Sequence, residues 1–189
     1  MNFGLIVSKQ HPPGVSMDDR FREHIDEVGA ARDAGFGLIV MGQHFLSTPF
    51  QEVQSLPALA RLAAEAGTMR VGATVILLPL LNPVDVAEQV GTLDVITEGR
   101  LVFGVGLGYR EEENEAFGVA PKERVGRFVE GLGVIKRLWA DDEVTHHGRF
   151  FHLTRARMML RPVQQPHPPI WFAANNDAAV ARAARLADA

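Results

Sequence analysis

The run GLIVMGQHFLSTPF, residues 37–50, is apolar as far as Met41 and then breaks at Gln43 and His44 into a Ser/Thr/Pro loop. A histidine at the mouth of an apolar strand could exchange a proton near neutral pH, because imidazole titrates there without a large perturbation. The same histidine could instead cap the loop. In LVFGVGLGY, Gly104, Gly106 and Gly108 strip side chains from a strand end, so a flat ligand ring could lie against it; tight packing at the terminus would use the same glycines. A dinucleotide fingerprint would want G-x-G-x-x-G, but Tyr109 stands where its last glycine should be. The segment then runs into the polar REEENEAFG, read as a loop, which argues further against a Rossmann site. Asn175, Asn176 and Asp177 follow an apolar strand and open a helix, where free N–H groups and the positive dipole end would face a ligand phosphate. Asp177 as a plain N-cap is the competing reading. The run Glu111, Glu112, Glu113 and Glu115 reads as an exposed acidic loop. His146, His147 and His152 lie on a hairpin whose adjacent residues face opposite ways, so they do not chelate as a pair, and no metal site is expected.

These residues need a frame to hold them. ARDAGFGLIVM, AAEAGTMRVGATVILL and VITEGRLVFGVG each read as helix, glycine, strand, with Gly35, Gly67 and Gly99 at equal offsets. Glycine suits such a junction because a helix commonly ends on a left-handed residue. Helical spacing aligns Phe21, Ile25, Val28 and Ala31 after a cap at Ser16 or Asp18, and Leu59, Leu62, Ala63 and Ala66 after a start near Ser55. Val86, Val90 and Leu93 follow the Asn82 cap with Pro83 at the first helical position, and Val125, Phe128, Leu132, Ile135 and Leu138 lie within 122–139. Near-continuous apolar strands at 3–7, 36–41, 71–78 and 101–105 suit a parallel sheet buried on both faces. VTHHGRFFHL then reads as a hairpin or lid, within an insertion over 144–168, before a strand at 169–174 and a last helix. Five βα units result. A doubly wound sheet can close with five strands, whereas a (β/α)8 barrel typically takes about 250 residues.

The composition is that of an ordinary globular protein: 189 residues, 47% hydrophobic, 22% charged, net charge -4. The mild negative balance favours neither nucleic acid nor an acidic membrane surface. With no cysteine there is no thiolate nucleophile and no disulfide, and without a leader-like start or a long apolar run the chain reads as cytoplasmic. A metal-dependent barrel hydrolase would want His-x-His on the first strand, which NFGLIVSKQH does not supply.

GQHF, the block RVGATVILLPLLNPVDVAEQVGTLDVITEGRLVFGVGLGYREEENEAFG, and HGRFFHL with RPVQQPHPPIWFAAN together resemble the bacterial luciferase-like superfamily of flavin- and deazaflavin-dependent oxidoreductases. The most specific part is Arg70 to Gly118, with its LLP-x-x-NP turn, LD-x-x-(S/T)-x-GR segment and glycine-rich strand. The resemblance implies an α/β fold of (β/α)8 TIM-barrel type, of which this chain carries about five units, as a single domain over 1–189 that stops short of the last three. Such an open array would expose strand edges and invite pairing, so a homo-oligomer is expected, and a non-catalytic fragment that needs a partner chain is the contrasting possibility. It implies His44 beside the cofactor ring as acid or base. It places a non-prolyl cis peptide near Thr74-Val75 behind the ring, where an ordinary buried strand explains the same residues. It also implies cofactor contacts at Gly106, Gly108, Tyr109, Asn175 and Asn176. The expected cofactor is FMN, used with oxygen to monooxygenate a small-molecule substrate; the alternative is coenzyme F420 in hydride transfer.

Overall fold

Gly35, Gly67 and Gly99 have φ of +80°, +56° and +74°, the left-handed backbone that the repeated helix–glycine–strand pattern requires. The computed structural model describes residues 3–188. In chain order its elements are β1 (Gly4–Ile6), β2 (Gln10–His11), α1 (Met17–Asp33), β3 (Leu38–Met41), β4 (Gln51–Glu52), α2 (Ser55–Leu62), β5 (Arg70–Leu77) and α3 (Pro83–Ile96). There follow β6 (Leu101–Gly106), α4 (Glu111–Ala116), α5 (Arg124–Ala140), β7 (Val144–His147), β8 (His152–Ala156), β9 (Ile170–Phe172) and α6 (Asp177–Leu186). Among the described residues no helix is long and apolar enough to cross a membrane.

Five strands form one parallel sheet in the order β1-β3-β5-β6-β9. Each strand lies beside its predecessor. A doubly wound sheet would instead reverse direction about its first strand, so the sequential order is the winding of a βα barrel. Among the described residues β1 and β9 each pair on one side only, which leaves the array open. The register puts Leu5, Ile39, Val71 and Leu101 in one row and Met41, Ala73, Phe103 and Ile170 in another on the same face. All but Leu5 are buried there among apolar side chains of the helices. The opposite face carries Ile6, Val40, Gly72 and Val102, and Ile6 on the edge strand is 75% exposed.

The helices bury the faces their spacing indicates. Val28, Leu59, Leu62, Val86, Val90, Phe128, Leu132 and Ile135 are all buried. Ser16 caps α1 through the Asp19 N–H, and Asn82 caps α3 through the Val84 N–H at 2.9 Å. Val125 departs from its expected face. It is 41% exposed because the first turn of α5 borders the open cavity described below instead of the sheet.

Two further elements differ from the sequence expectation. REEENEAFG is not a loop: residues 111–116 form α4, whose short helix turns Glu113 and Asn114 inward and buries both. Gln10 and His11 form β2, which pairs antiparallel with β4. His11 then lies with its Nε2 3.1 Å from Nε2 of His24 on α1, and burial pushes the His24 imidazole below its ordinary value.

The expected hairpin is present as β7 and β8. It is tied to α5 by Glu130, whose carboxylate accepts the N–H groups of Arg149, Phe150 and Phe151 and meets Nε2 of His146 at 3.2 Å. His147 and His152 pair across the strands on an exposed surface. The Pro-rich connector is docked by buried Asp94, which accepts the Gln164 backbone and side-chain N–H groups.

Candidate active site

The carboxyl ends of four sheet strands converge on one cavity of about 970 Å³, near the top of the range for small-molecule sites. Gly42 to His44 follow β3, Thr74 and Val75 lie in β5, Gly106 to Tyr109 end β6, and Phe172 to Asn176 follow β9. His44, Thr74, Val75, Gly106, Gly108, Tyr109, Asn175 and Asn176 all line it. Three inter-strand steps separate the β3 end from the β9 end, on the order of 14 Å. His44 and the Asn175–Asn176 pair therefore address opposite ends of one long cavity.

His44 is held from below. Its Nδ1 lies 3.0 Å from Oε1 of Glu113, and the Phe45 N–H donates to the same oxygen at 2.8 Å. Arg110 donates to the carbonyls of Phe45 and Leu46 at 3.1 and 3.0 Å, and stands 3.8 Å from that Glu113 oxygen. Gln54 donates to the His44 carbonyl at 2.9 Å. Buried Gln43 ties the segment to β5: its N–H donates to Val75 O, and its side-chain oxygen accepts the Leu77 N–H at 3.0 Å. The Tyr109 ring meets His44 edge-on at 5.7 Å, and Tyr109 is 76% exposed at the cavity.

The middle of the cavity is set by a fault in β5. Its pairing with β6 slips between Ala73 and Ile76, and the Thr74–Val75 peptide bond there is cis. The glycines of β6 make room for this bulge. A Cβ on Gly104 would stand 2.7 Å from Thr74 Cγ2, and one on Gly106 would stand 2.7 Å from Val75 Cγ2. Gly104 thus serves strand packing and does not line the cavity, whereas Gly106 packs on Val75 and lines the cavity as well. Gly108 has φ +71°, and its carbonyl accepts a hydrogen bond from Arg124 at 2.9 Å.

At the far end Asn176, not Asp177, is the N-cap of α6. Its side-chain oxygen accepts the Ala179 N–H at 2.9 Å, and Asp177 is the first helical residue. The β-region backbone of Asn176 brings its short amide back over the first turn, so that oxygen is already engaged. The remaining first-turn N–H groups are what α6 offers to an anion. Arg124 and Arg182 border the same cavity and add positive charge.

Sequence reasoning placed Glu113 in an exposed acidic loop and passed over Arg110, Arg124 and Arg182. Arg110, Glu113, Asn114 and Phe117 recur at helical spacing inside REEENEAF, and Ala178, Ala179 and Arg182 do so on α6. That period was the available signal. A second buried charge pair lies nearby: Lys9, after β1, has its Nζ 3.4 Å from Oε1 of Glu52. Burial pushes the Lys9 ammonium below its ordinary value against the opposing pull of Glu52 and Glu113. Burial also pushes the Glu52 carboxyl up, but the Ser47 hydroxyl and the Lys9 charge together hold it below its ordinary value. Among the described residues no group of three or more His, Asp or Glu side chains could hold a metal ion.

A sequentially wound parallel sheet with one cavity across its carboxyl strand ends defines a protein of the βα-barrel class. The family model described as luciferase-like monooxygenase matches residues 1–189, and the chain belongs to that family. It is 36% identical over 135 residues to a phthiodiolone/phenolphthiodiolone dimycocerosates ketoreductase of Mycobacterium sp. (strain JLS), covering 69% of this chain and 35% of that protein. It is 27% identical over 179 residues to the oxygenase component of a flavin-dependent trigonelline monooxygenase of Acinetobacter baylyi, covering 93% and 49%. The crystal structure of monooxygenase RslO1 from Streptomyces bottropensis superposes with a TM-score of 0.88 at 29% identity, covering 98% of this chain and 57% of that one. The chain spans about half the length, or less, of the first relatives it matches.

Proposed function

We propose that this chain contributes the cofactor-binding half of a luciferase-like oxidoreductase, a single domain over 1–189 with residues 144–168 inserted, and that it binds FMN in the cavity described above. The observation that carries this reading is the continuity of one cavity from His44 to the amino end of α6, beside Arg124 and Arg182. Its length and contents fit the group. The flat ring would lie against the Thr74–Val75 segment and Gly106, close to His44 and Tyr109. The phosphate would meet the α6 N–H groups, Asn175 and Arg182, where the helix dipole and guanidinium favour an anion.

Bound reduced FMN would supply the electrons and the site of reaction with oxygen, for monooxygenation of a small organic substrate. The protein's own contribution is binding, orientation and proton handling. His44 borders the cavity, and its Nε2 has no hydrogen-bond partner among the described residues, so that nitrogen is free to accept or return a proton there. Val75, Leu77, Leu107 and Phe172 give the cavity apolar walls that limit water around the ring. The relationship to a ketoreductase supports a second reading, hydride transfer from F420 to a carbonyl that His44 would protonate.

Absorbance titrations with FMN and F420, each oxidised and reduced, test both. Saturable binding of FMN supports the first reading and preferential binding of F420 the second. Binding of neither to this chain overturns both.

A further inference from the structure

We propose that Glu113 is a positioning residue for His44, fixing the imidazole as the Nδ1–H tautomer so that Nε2 presents its lone pair to the cavity; this rests on the reading of His44 as the proton-exchanging residue. The two residues are 69 apart in sequence and meet only because α4 packs under the loop that follows β3. A single carboxylate oxygen, Oε1, takes both contacts. The Phe45 N–H can only donate to it, so an ionised carboxylate leaves the His44 Nδ1 to supply the proton in the second contact. Arg110 adds a third contact to that oxygen, with its guanidinium 3.8 Å away. A proton on Oε1 itself would reverse the contact, donating to Nδ1 and leaving Nε2–H toward the cavity.

The rest of α4 makes the alignment rigid. Arg110, its N-cap residue, holds the carbonyls of Phe45 and Leu46, while Glu113 holds the Phe45 N–H and the His44 ring. Three backbone groups of the loop and one ring nitrogen are thus fixed by two side chains of one helical turn. Glu113 is fully buried and does not line the cavity, so its effect on chemistry passes through His44.

The test is the histidine side-chain ¹⁵N–¹H spectrum of the cofactor-free chain above the titration range of ordinary histidine, with the His44 signals assigned from a His44→Asn variant. The expected wild-type result is a ring protonated at Nδ1. Glu113→Met removes the acceptor at similar volume, and the population should reverse to predominantly Nε2–H, the form free histidine favours. Glu113→Gln, whose amide oxygen can still accept, should retain Nδ1–H. An Nε2–H ring in the wild-type chain overturns the proposal without recourse to any variant, as does an unchanged tautomer in folded Glu113→Met. If Glu113→Met does not fold, the wild-type and Glu113→Gln spectra decide: Nδ1–H in both supports the proposal, and Nε2–H in either overturns it. Because no cofactor is present, this outcome is separate from the flavin titration: failure of FMN to bind would remove the functional reading and leave the His44–Glu113 result standing.

Discussion

Gly104→Ala is the sharpest perturbation of the strand pair beneath the cavity. The added Cβ would meet Thr74 Cγ2 at 2.7 Å, Ala73 O at 2.9 Å and Thr74 Cα at 3.0 Å. A rotamer change can relieve the first contact, but the other two are backbone and require β5 and β6 to separate. Overpacking in a filled interior costs about 1–3 kcal/mol, and a clash with backbone belongs at the upper end. For a chain of 189 residues, about 2–4 °C is lost per kcal/mol, so the melting temperature should fall by roughly 6–12 °C. Gly133→Ala is the matched control: it lies in α5, and a Cβ there meets nothing within 4 Å. Removing a helix-interior glycine should stabilise by about 0.5–1 kcal/mol. Thermal melts followed by circular dichroism read both variants. The displaced Thr74–Val75 segment borders the cavity, so FMN affinity of folded Gly104→Ala should also fall. A Gly104→Ala melt within error of wild type would show that the missing side chain does not set the β5–β6 spacing.

Two other perturbations separate roles that share a residue. Asn176→Asp keeps a good N-cap and suits the helix dipole, so stability should change little. Its new charge should weaken FMN at least about fivefold, from ~1 kcal/mol between unit charges 4 Å apart in water, while phosphate-free riboflavin is unaffected. Equal losses for the two flavins would place the phosphate elsewhere. His24 tests the α1–β2 contact: its folded value is lowered chiefly by burial and further by His11, against the opposing pull of Glu27 and Glu23. The unfolded chain therefore takes up the proton first. Stability is fully present above about pH 6.5, the unfolded value, and is lost as pH falls through the lower folded value. Urea midpoints at neutral and mildly acidic pH should show a smaller acid loss for His24→Leu than for wild type, and parallel losses would remove His24 as the cause.

Most of the frame was legible because it is local. The glycines at 35, 67 and 99, the Ser16 and Asn82 caps and the apolar strands each state a backbone preference within a few residues. Strand order was not local. Length favoured a small doubly wound sheet, whereas the order β1-β3-β5-β6-β9 is that of a barrel wound in one direction, which the resemblance indicated and periodicity did not. β2 and β4 escaped notice because two-residue strands carry no alternation to read.

The site divides along the same line. His44, Tyr109 and Asn175 sit immediately after strands, and the carboxyl end of every parallel strand faces the same side, so their convergence follows from topology alone. Glu113 does not sit at a strand end, and among four glutamates of one run nothing in its immediate neighbours marks it as the buried one. Helical phase does: with α4 starting at Glu111, Glu113 and Asn114 turn inward, while Glu111, Glu112 and Glu115 stay exposed. An acidic run read as a loop assigns all its carboxylates to solvent. Read as a helix, it must bury one face, and a buried carboxylate there requires donors within reach. The Phe45 N–H donates to it and His44 Nδ1 lies 3.0 Å from the same oxygen, both on the loop that delivers the histidine to the cavity. On the proposed reading of His44, a proton-exchanging residue on a loop needs a fixed orientation as much as a position; the fold brings His44 to the cavity, and one turn of α4 contacts its ring and the loop that carries it.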